Sequence, residues 1–160
     1  MVKKLSIIII CLCTLAIGCV GSKTASSNNV SASSRKIELY IPNKTFTKWE
    51  VKEEKVDISD IGNVIKELKD SNLCCIPKDT KVNSVKIKNN IAYVDLSKDF
   101  DDSQTSSSAA TIAKIYSIVN TLCLNECFNV NGVKFLIDGE EVETIGPINA
   151  SIIKTPKMEL

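Results

Sequence analysis

Asp95, Asp99, Asp101 and Asp102 form a dense carboxylate cluster in this chain, and histidine is absent from all 160 residues. Clustered carboxylates are the ligand type of hard cations such as Ca²⁺. These four lack the alternating ligands and the glycine of an EF-hand loop, so Asp95 reads as a strand residue and the others as a solvated loop ahead of a helix. A serine or cysteine nucleophile needs a base. Without histidine, imidazole triads and the usual zinc and iron sites are excluded. A Ser–Lys pair stays formally open, but Ser84 stands three before Ile87 and Ser117 three before Asn120, so neither opens an S-x-x-K motif. The expectation is no catalytic residue, no metal site, no cofactor and no enzymatic activity.

Cysteine offers a different chemistry. The chain opens MVKKLSIIIICLCTLAIGC, with Lys3 and Lys4 ahead of an apolar run over residues 5–17 and the small Gly18 just before Cys19. The run is too short to span a bilayer as a helix, and a polar stretch whose one charge before Arg35 is Lys23 follows it. Leu15-Ala16-Ile17-Gly18-Cys19 fits a permissive lipobox. Residues 1–18 are therefore expected to be a lipoprotein signal peptide and Cys19 the lipid attachment site, with an ordinary cleaved signal as the rival reading. Cys11 and Cys13 belong to the apolar run. A diacylated cysteine supplies the multiple chains that stable anchoring needs, since each buried CH₂ contributes only about 0.8 kcal/mol. The expected location is the extracytoplasmic face of the cell membrane. The other cysteines are Cys74, Cys75, Cys123 and Cys127. They read as small buried apolar residues, with a cross-pair from 74–75 to Cys123 or Cys127 as the alternative.

Loss of the signal takes Lys3 and Lys4 away and no acid, so the formal charge falls from +1 to −1. Such a balance argues against nucleic acid as a partner. Arg35 is the only arginine. Residues 19–35 are rich in Ser and Asn and poor in apolar side chains, the composition of a flexible tether.

The elements that must position any site follow from periodicity. KIELYI (36–41) alternates, with Ile37, Leu39 and Ile41 on one face, and Pro42-Asn43 ends it. WEVKEEKVDI (49–58) reads as an exposed second strand whose Lys52, Glu53, Glu54 and Lys55 protect an edge. Ser59 or Asp60 is placed to cap a helix running to about Asp70, with Ile61, Val64, Ile65 and Leu68 on one face. Segments 81–88 and 91–97 flank Asn89-Asn90, a two-residue hairpin turn that sets Ile87 opposite Ala92, Val85 opposite Val94, Lys88 opposite Ile91 and Lys86 opposite Tyr93. A second helix over 109–125 carries the stripe Ile112, Ile115, Tyr116, Val119, Leu122 and Cys123. Asp138-Gly139 turns a last hairpin in which Phe135 faces Val142 and Lys134 faces Glu143. Residues 151–160 read as a poorly ordered C-terminal tail. The sum is one α+β domain over residues 36–150, in two layers, with two helices on one face of a mostly antiparallel sheet.

The strings IAYVDLSKDF (91–100), IVNTL (118–122) and VKFLIDGEEVETIG (133–146) resemble the GerMN domain of sporulation and spore-germination lipoproteins. KIELYIPN (36–43) and IPKDTKVNSVKIKN (76–89) fit in order and spacing. Sporulation members commonly carry two tandem copies, and this chain has length for one. The resemblance implies an α/β fold similar to ring-building motifs. It also implies a binding or scaffolding role, in spore formation or germination, with no catalytic residue to carry over.

Two functions compete at this point. The first is a membrane-tethered module that binds an envelope protein or self-assembles. Trp49, Tyr93 and Lys86 are its interface candidates, since tryptophan is enriched at hot spots and an exposed sheet edge can accept another strand. The second is an envelope small-ligand or peptidoglycan-binding protein of growing cells, which calls for a deep pocket near Asp99 and Asp101.

Overall fold

Ile37, Leu39 and Ile41 do line one face of a strand in the computed structural model of the chain, which describes residues 33–71, 76–101 and 107–160. The signal, Cys19, most of the tether, Cys74, Cys75 and Asp102 lie outside the described residues. Strand β1 (Ser34–Pro42) begins inside the expected tether and pairs antiparallel with β2 (Trp49–Asp57), with Ile37 opposite Glu54 and Leu39 opposite Lys52. Helix α1 (Gly62–Asp70) follows and buries Val64, Ile65 and Leu68. It has no side-chain cap: Asp60 Oδ1 instead accepts from the Gly62 N–H at 2.8 Å, a local turn that delivers the chain into the helix.

Strands β3 (Val82–Lys88) and β4 (Ile91–Leu96) make the expected hairpin in the expected register. Asn89 and Asn90 sit at φ 52° and 61°, the left-handed pair that a type I′ turn demands and asparagine tolerates. A short 3₁₀ turn (Lys98–Asp101) leads on to helix α2 (Ser108–Leu124), capped by Ser107, whose side chain accepts from Ala110 N. Strand β5 (Gly132–Ile137) runs parallel to β4, with Tyr93 beside Lys134 and Val94 beside Phe135, so α2 is the crossover of a strand–helix–strand unit. The turn at Asp138 and Gly139 brings in β6 (Glu140–Glu141), which pairs only at Leu136 and Ile137. The ladder stops short of the expected Lys134–Glu143 pairing, and Lys134 meets Glu141 instead, at 3.1 Å. A small hairpin of β7 (Thr144–Ile145) and β8 (Ile148–Asn149) closes the order. The fold is α+β, its mostly antiparallel pairs spread over three sheets, β1-β2, β3-β4-β5-β6 and β7-β8.

Helix α2 departs from the one-stripe expectation. Ile115, Ile118, Val119 and Leu122 are buried, and so are Thr111, Lys114, Ser117, Asn120 and Thr121, while Ile112, Tyr116 and Cys123 are only half-buried. The helix is covered on several sides, by β1, β5, α1 and β8. Its polar side chains are tolerated there because most find partners. Lys114 Nζ donates to the Phe100 carbonyl at 2.5 Å and lies 5.0 Å from the Phe100 ring centre. Phe100 in turn stacks on Phe135 with centroids 5.9 Å apart, an arrangement adding about 0.5–1.5 kcal/mol beyond area burial.

Two side chains at the C-terminal end of α2, one in its last turn and one just beyond it, also close the outer edge of β1. Asn125, just past the helix end, accepts from the Glu38 N–H at 2.9 Å and donates to the Glu38 carbonyl at 2.8 Å, the two bonds a neighbouring strand would make. Thr121 Oγ1 accepts from the Tyr40 N–H at 3.0 Å.

The segment expected to be a loose tail is tied down. Lys154 exchanges both main-chain bonds with Val133, each 2.8 Å, and so continues the edge of β5 that β6 leaves open. Ile153 presses on Gly132 so closely that a Cβ there would stand 2.5 Å from its Cγ2. Asn120 donates to the Lys157 carbonyl at 2.8 Å and accepts from its N–H at 2.9 Å. The apolar pattern does fade after Gly146-Pro147, but main-chain hydrogen bonds need no apolar pattern.

Candidate functional site

The face of the large sheet turned away from α2 is built by alternation. Ala92, Val94 and Leu96 point into the core, so Ile91, Tyr93 and Asp95 point out, and their cross-strand partners point with them. Three rows result: Lys88–Ile91–Gly132, Lys86–Tyr93–Lys134 and Ser84–Asp95–Leu136. Between the edge strand and the Gly139 turn lies a groove of about 420 Å³, lined by Ser84, Lys86, Lys88, Tyr93, Asp95, Leu136 and Gly139.

Tyr93 is half-buried at the floor, while Lys86 and Lys88 are exposed at the rim. Asp95 Oδ1 accepts from the Gly139 N–H at 2.9 Å and from Asn83 Nδ2 at 3.3 Å, so this carboxylate pins the turn that forms the groove's far wall. Lys134 is buried; it pairs with Glu141 and donates to the Ser151 carbonyl. The cationic character of the groove therefore comes from Lys86 and Lys88. An aromatic floor beside two lysines can stack on a planar or apolar group and hold an anion.

Two other carboxylates of the sequence cluster, Asp99 and Asp101, are engaged in hydrogen bonds within the domain. Asp99 accepts from Ser97 Oγ at 2.8 Å, and Asp101 accepts from the Gly146 N–H at 2.7 Å. They line a separate shallow hollow of about 300 Å³ with Pro77, Asp79 and Lys98. Among the described residues, no group of three or more Cys, Asp or Glu side chains is placed to hold a metal ion.

The interface candidates divide. Lys86 and Tyr93 are cross-strand neighbours in the groove. Trp49 does not line it: half-buried at the start of β2, it donates from Nε1 to the Lys157 carbonyl at 3.0 Å, while Lys157 Nζ lies 5.7 Å from the Tyr116 ring centre. Cys123 and Cys127 are free thiols. Burial pushes Cys123 up to about 11 and raises Cys127 less. Cys127 is exposed, contrary to the reading of every cysteine as a buried apolar residue, because α2 ends before it at Leu124.

Leu136 and Gly139 were missed as groove residues, since their place depends on the parallel β4–β5 pairing. The signal was present: two strands separated by a helix-length segment are the sequence form of a parallel crossover. Among the described residues, no helix is long and apolar enough to cross a membrane.

A family model described as Germane, sporulation and spore germination, matches residues 38–143. Three solved structures share the fold. A candidate lipoprotein from Clostridium perfringens is 24% identical, with 77% of this chain and 88% of that chain covered and a TM-score of 0.53. The tandem GerMN domains of the sporulation protein GerM from Bacillus subtilis give 20% identity and a TM-score of 0.57, over 80% of this chain and 46% of theirs. The first GerMN domain alone gives 20% and 0.55, over 79% and 96%. This chain thus spans about half of the tandem structure, the extent of one domain. No curated protein matches.

Proposed function

Since the chain belongs to the Germane family of sporulation and spore-germination domains, we propose that it is an extracytoplasmic lipoprotein, anchored through Cys19, whose domain binds an envelope protein and catalyses no reaction. The observation that carries the reading is the outward groove with its Tyr93 floor and its Lys86 and Lys88 rim. It offers contact chemistry on a sheet face, and its one carboxylate, Asp95, is held by the Gly139 N–H and Asn83 Nδ2. The anchor rests on the lipobox ending at Cys19 and gains support from the likeness to a candidate lipoprotein. A role in spore formation or germination rests on the family's description.

A photo-crosslinking amino acid placed at Tyr93 in membranes of growing and of sporulating cells tests the binding role. An envelope protein trapped from position 93 and not from the exposed Val51, on β2 of the other sheet, is the expected result. Trapping of nothing from either site overturns it. Retention of the protein in the membrane after Cys19→Ala overturns the anchor. The competing reading, a small-ligand or glycan binder, draws on the same aromatic floor and predicts labelling by muropeptide probes in place of protein crosslinks.

A further inference from the structure

We propose that the open edge of β3 receives an extended acidic segment of the partner protein as an added strand; the proposal rests on the binding role above and names where and how the partner docks. Hydrogen-bond parity identifies the edge. The Leu96 carbonyl accepts from the Asp138 N–H at 2.9 Å, so the even-numbered peptide groups of β4 turn toward β5 and the odd ones toward β3. Across the hairpin, Lys86 and Lys88 therefore bond to β4, and the peptide groups of Val85 and Ile87 point outward. No described residue bonds to them.

The other long edges are closed or guarded. Asn125 and Thr121 occupy the edge of β1. Strand β6 and Lys154 divide the edge of β5 between them. The exposed β2 carries both signs of charge, Glu50, Lys52, Glu53, Glu54 and Lys55, with Lys52 and Glu54 paired at 2.6 Å. Strand β3 is different: VNSVKIK holds lysines and no acid, and neither Lys86 nor Lys88 has an ion-pair partner among the described residues.

The side chains specify the occupant. A strand laid on this edge has one row beside Lys86 and Lys88, reaching over the Tyr93 groove, and the alternate row beside Val85 and Ile87, the latter 38% exposed. Acidic residues in the first row and apolar residues in the second complement both. A second copy of β3 sets lysine near lysine, and like charges across a strand pair are destabilising. Main-chain bonds supply affinity in such augmentation, and the alternating rows supply selectivity.

The test uses the full chain in detergent and two short synthetic peptides, one alternating Val with Glu and one alternating Val with Lys. Hydrogen exchange read by NMR is expected to slow at the Val85 and Ile87 amides by at least about tenfold with the acidic peptide and not with the basic one. Ile87→Pro removes an outward N–H that no ladder bond uses, a change edge strands tolerate, and is expected to abolish the effect. The Lys86→Glu, Lys88→Glu double variant keeps the strand and is expected to reverse the peptide preference. Protection at β2, equal binding by the Ile87→Pro protein, or concentration-dependent self-association through β3 overturns the proposal. Crosslinking from position 93 that persists undiminished in the Ile87→Pro protein would remove strand addition while leaving the binding role intact.

Discussion

Along β1 the outward peptide groups of Glu38 and Tyr40 meet side chains of the same molecule, whereas along β3 those of Val85 and Ile87 meet solvent. The sealed edge lies over α2, where Tyr40 is buried and an unmade bond is costly. The bare edge lies where the sheet leaves the core, beside exposed lysines. Two means of preventing unwanted strand pairing thus coexist in one domain. A helix blocks the first edge against any strand. Charge of a single sign protects the second, which deters a like copy and admits a segment of opposite charge.

Both edges are expected to belong to one cooperative body, and the most disruptive substitution tests that. Phe135→Ala removes the ring stacked on Phe100 and is expected to cost about 3–5 kcal/mol in chemical denaturation. Amide protection is expected to fall along β1 and β4 together; protection surviving on β1 alone would divide the body in two. Truncation before Ile152 strips Lys154 from Val133 and Lys157 from Asn120. It should cost on the order of 3 kcal/mol through unpaired buried groups, with a lower melting temperature and a newly exposed β5 edge visible as faster exchange at Val133. Thr121→Val leaves the Tyr40 N–H buried without an acceptor, a loss of about 1–3 kcal/mol by urea titration. The matching change on the open edge, Ile87→Lys, is expected to stay within about 0.5 kcal/mol. Equal costs for these two would erase the contrast between the edges.

The smallest effect is one of pH. The Ser33 hydroxyl, at 2.5 Å, and the Ser59 N–H, at 3.0 Å, hold the Asp57 carboxyl below its ordinary 3.8. A carboxyl depressed in the folded state favours folding above its unfolded pKa, and the contribution is lost as pH falls through the folded value. Exchange at Ser59, whose N–H donates to that carboxylate, should therefore quicken below about pH 4 relative to the rest of the strand pair, and Asp57→Asn should remove the dependence.

How much of this was legible in the sequence depended on range. The Asn89-Asn90 hairpin was readable to the residue pair because turn chemistry and alternation act locally, and with it the meeting of Lys86 and Tyr93. The α+β class and both helices followed from periodicity. The parallel β4–β5 pair did not, because its signal lies in the order strand, helix, strand and not in the periodicity of any one element. The all-round burial of α2 was hidden for a related reason: Thr121, Asn120 and Lys114 look like a solvent face until their partners at Tyr40, Lys157 and Phe100 are known. The tail was misread because Lys154 and Lys157 act there through main-chain groups, which carry no sequence signature.

The seal on β1 is also a measuring device. Four residues of helix advance about 6.0 Å and two residues of strand about 6.6 Å, so Asn125 and Thr121 fall in step with Glu38 and Tyr40 like marks on two nearly matched rulers. One further step along both rulers arrives at Ser117 and Pro42. Proline has no N–H to offer, and Ser117 Oγ is buried with no hydrogen-bond partner among the described residues. The scale is read at two marks and blank at the third. Sliding β1 by a single residue would turn Glu38 and Tyr40 away from the helix and bring their odd-numbered neighbours to the marks, with Ile37, Leu39 and Ile41 expelled from the core. The helix therefore keeps the reading frame of the strand it covers.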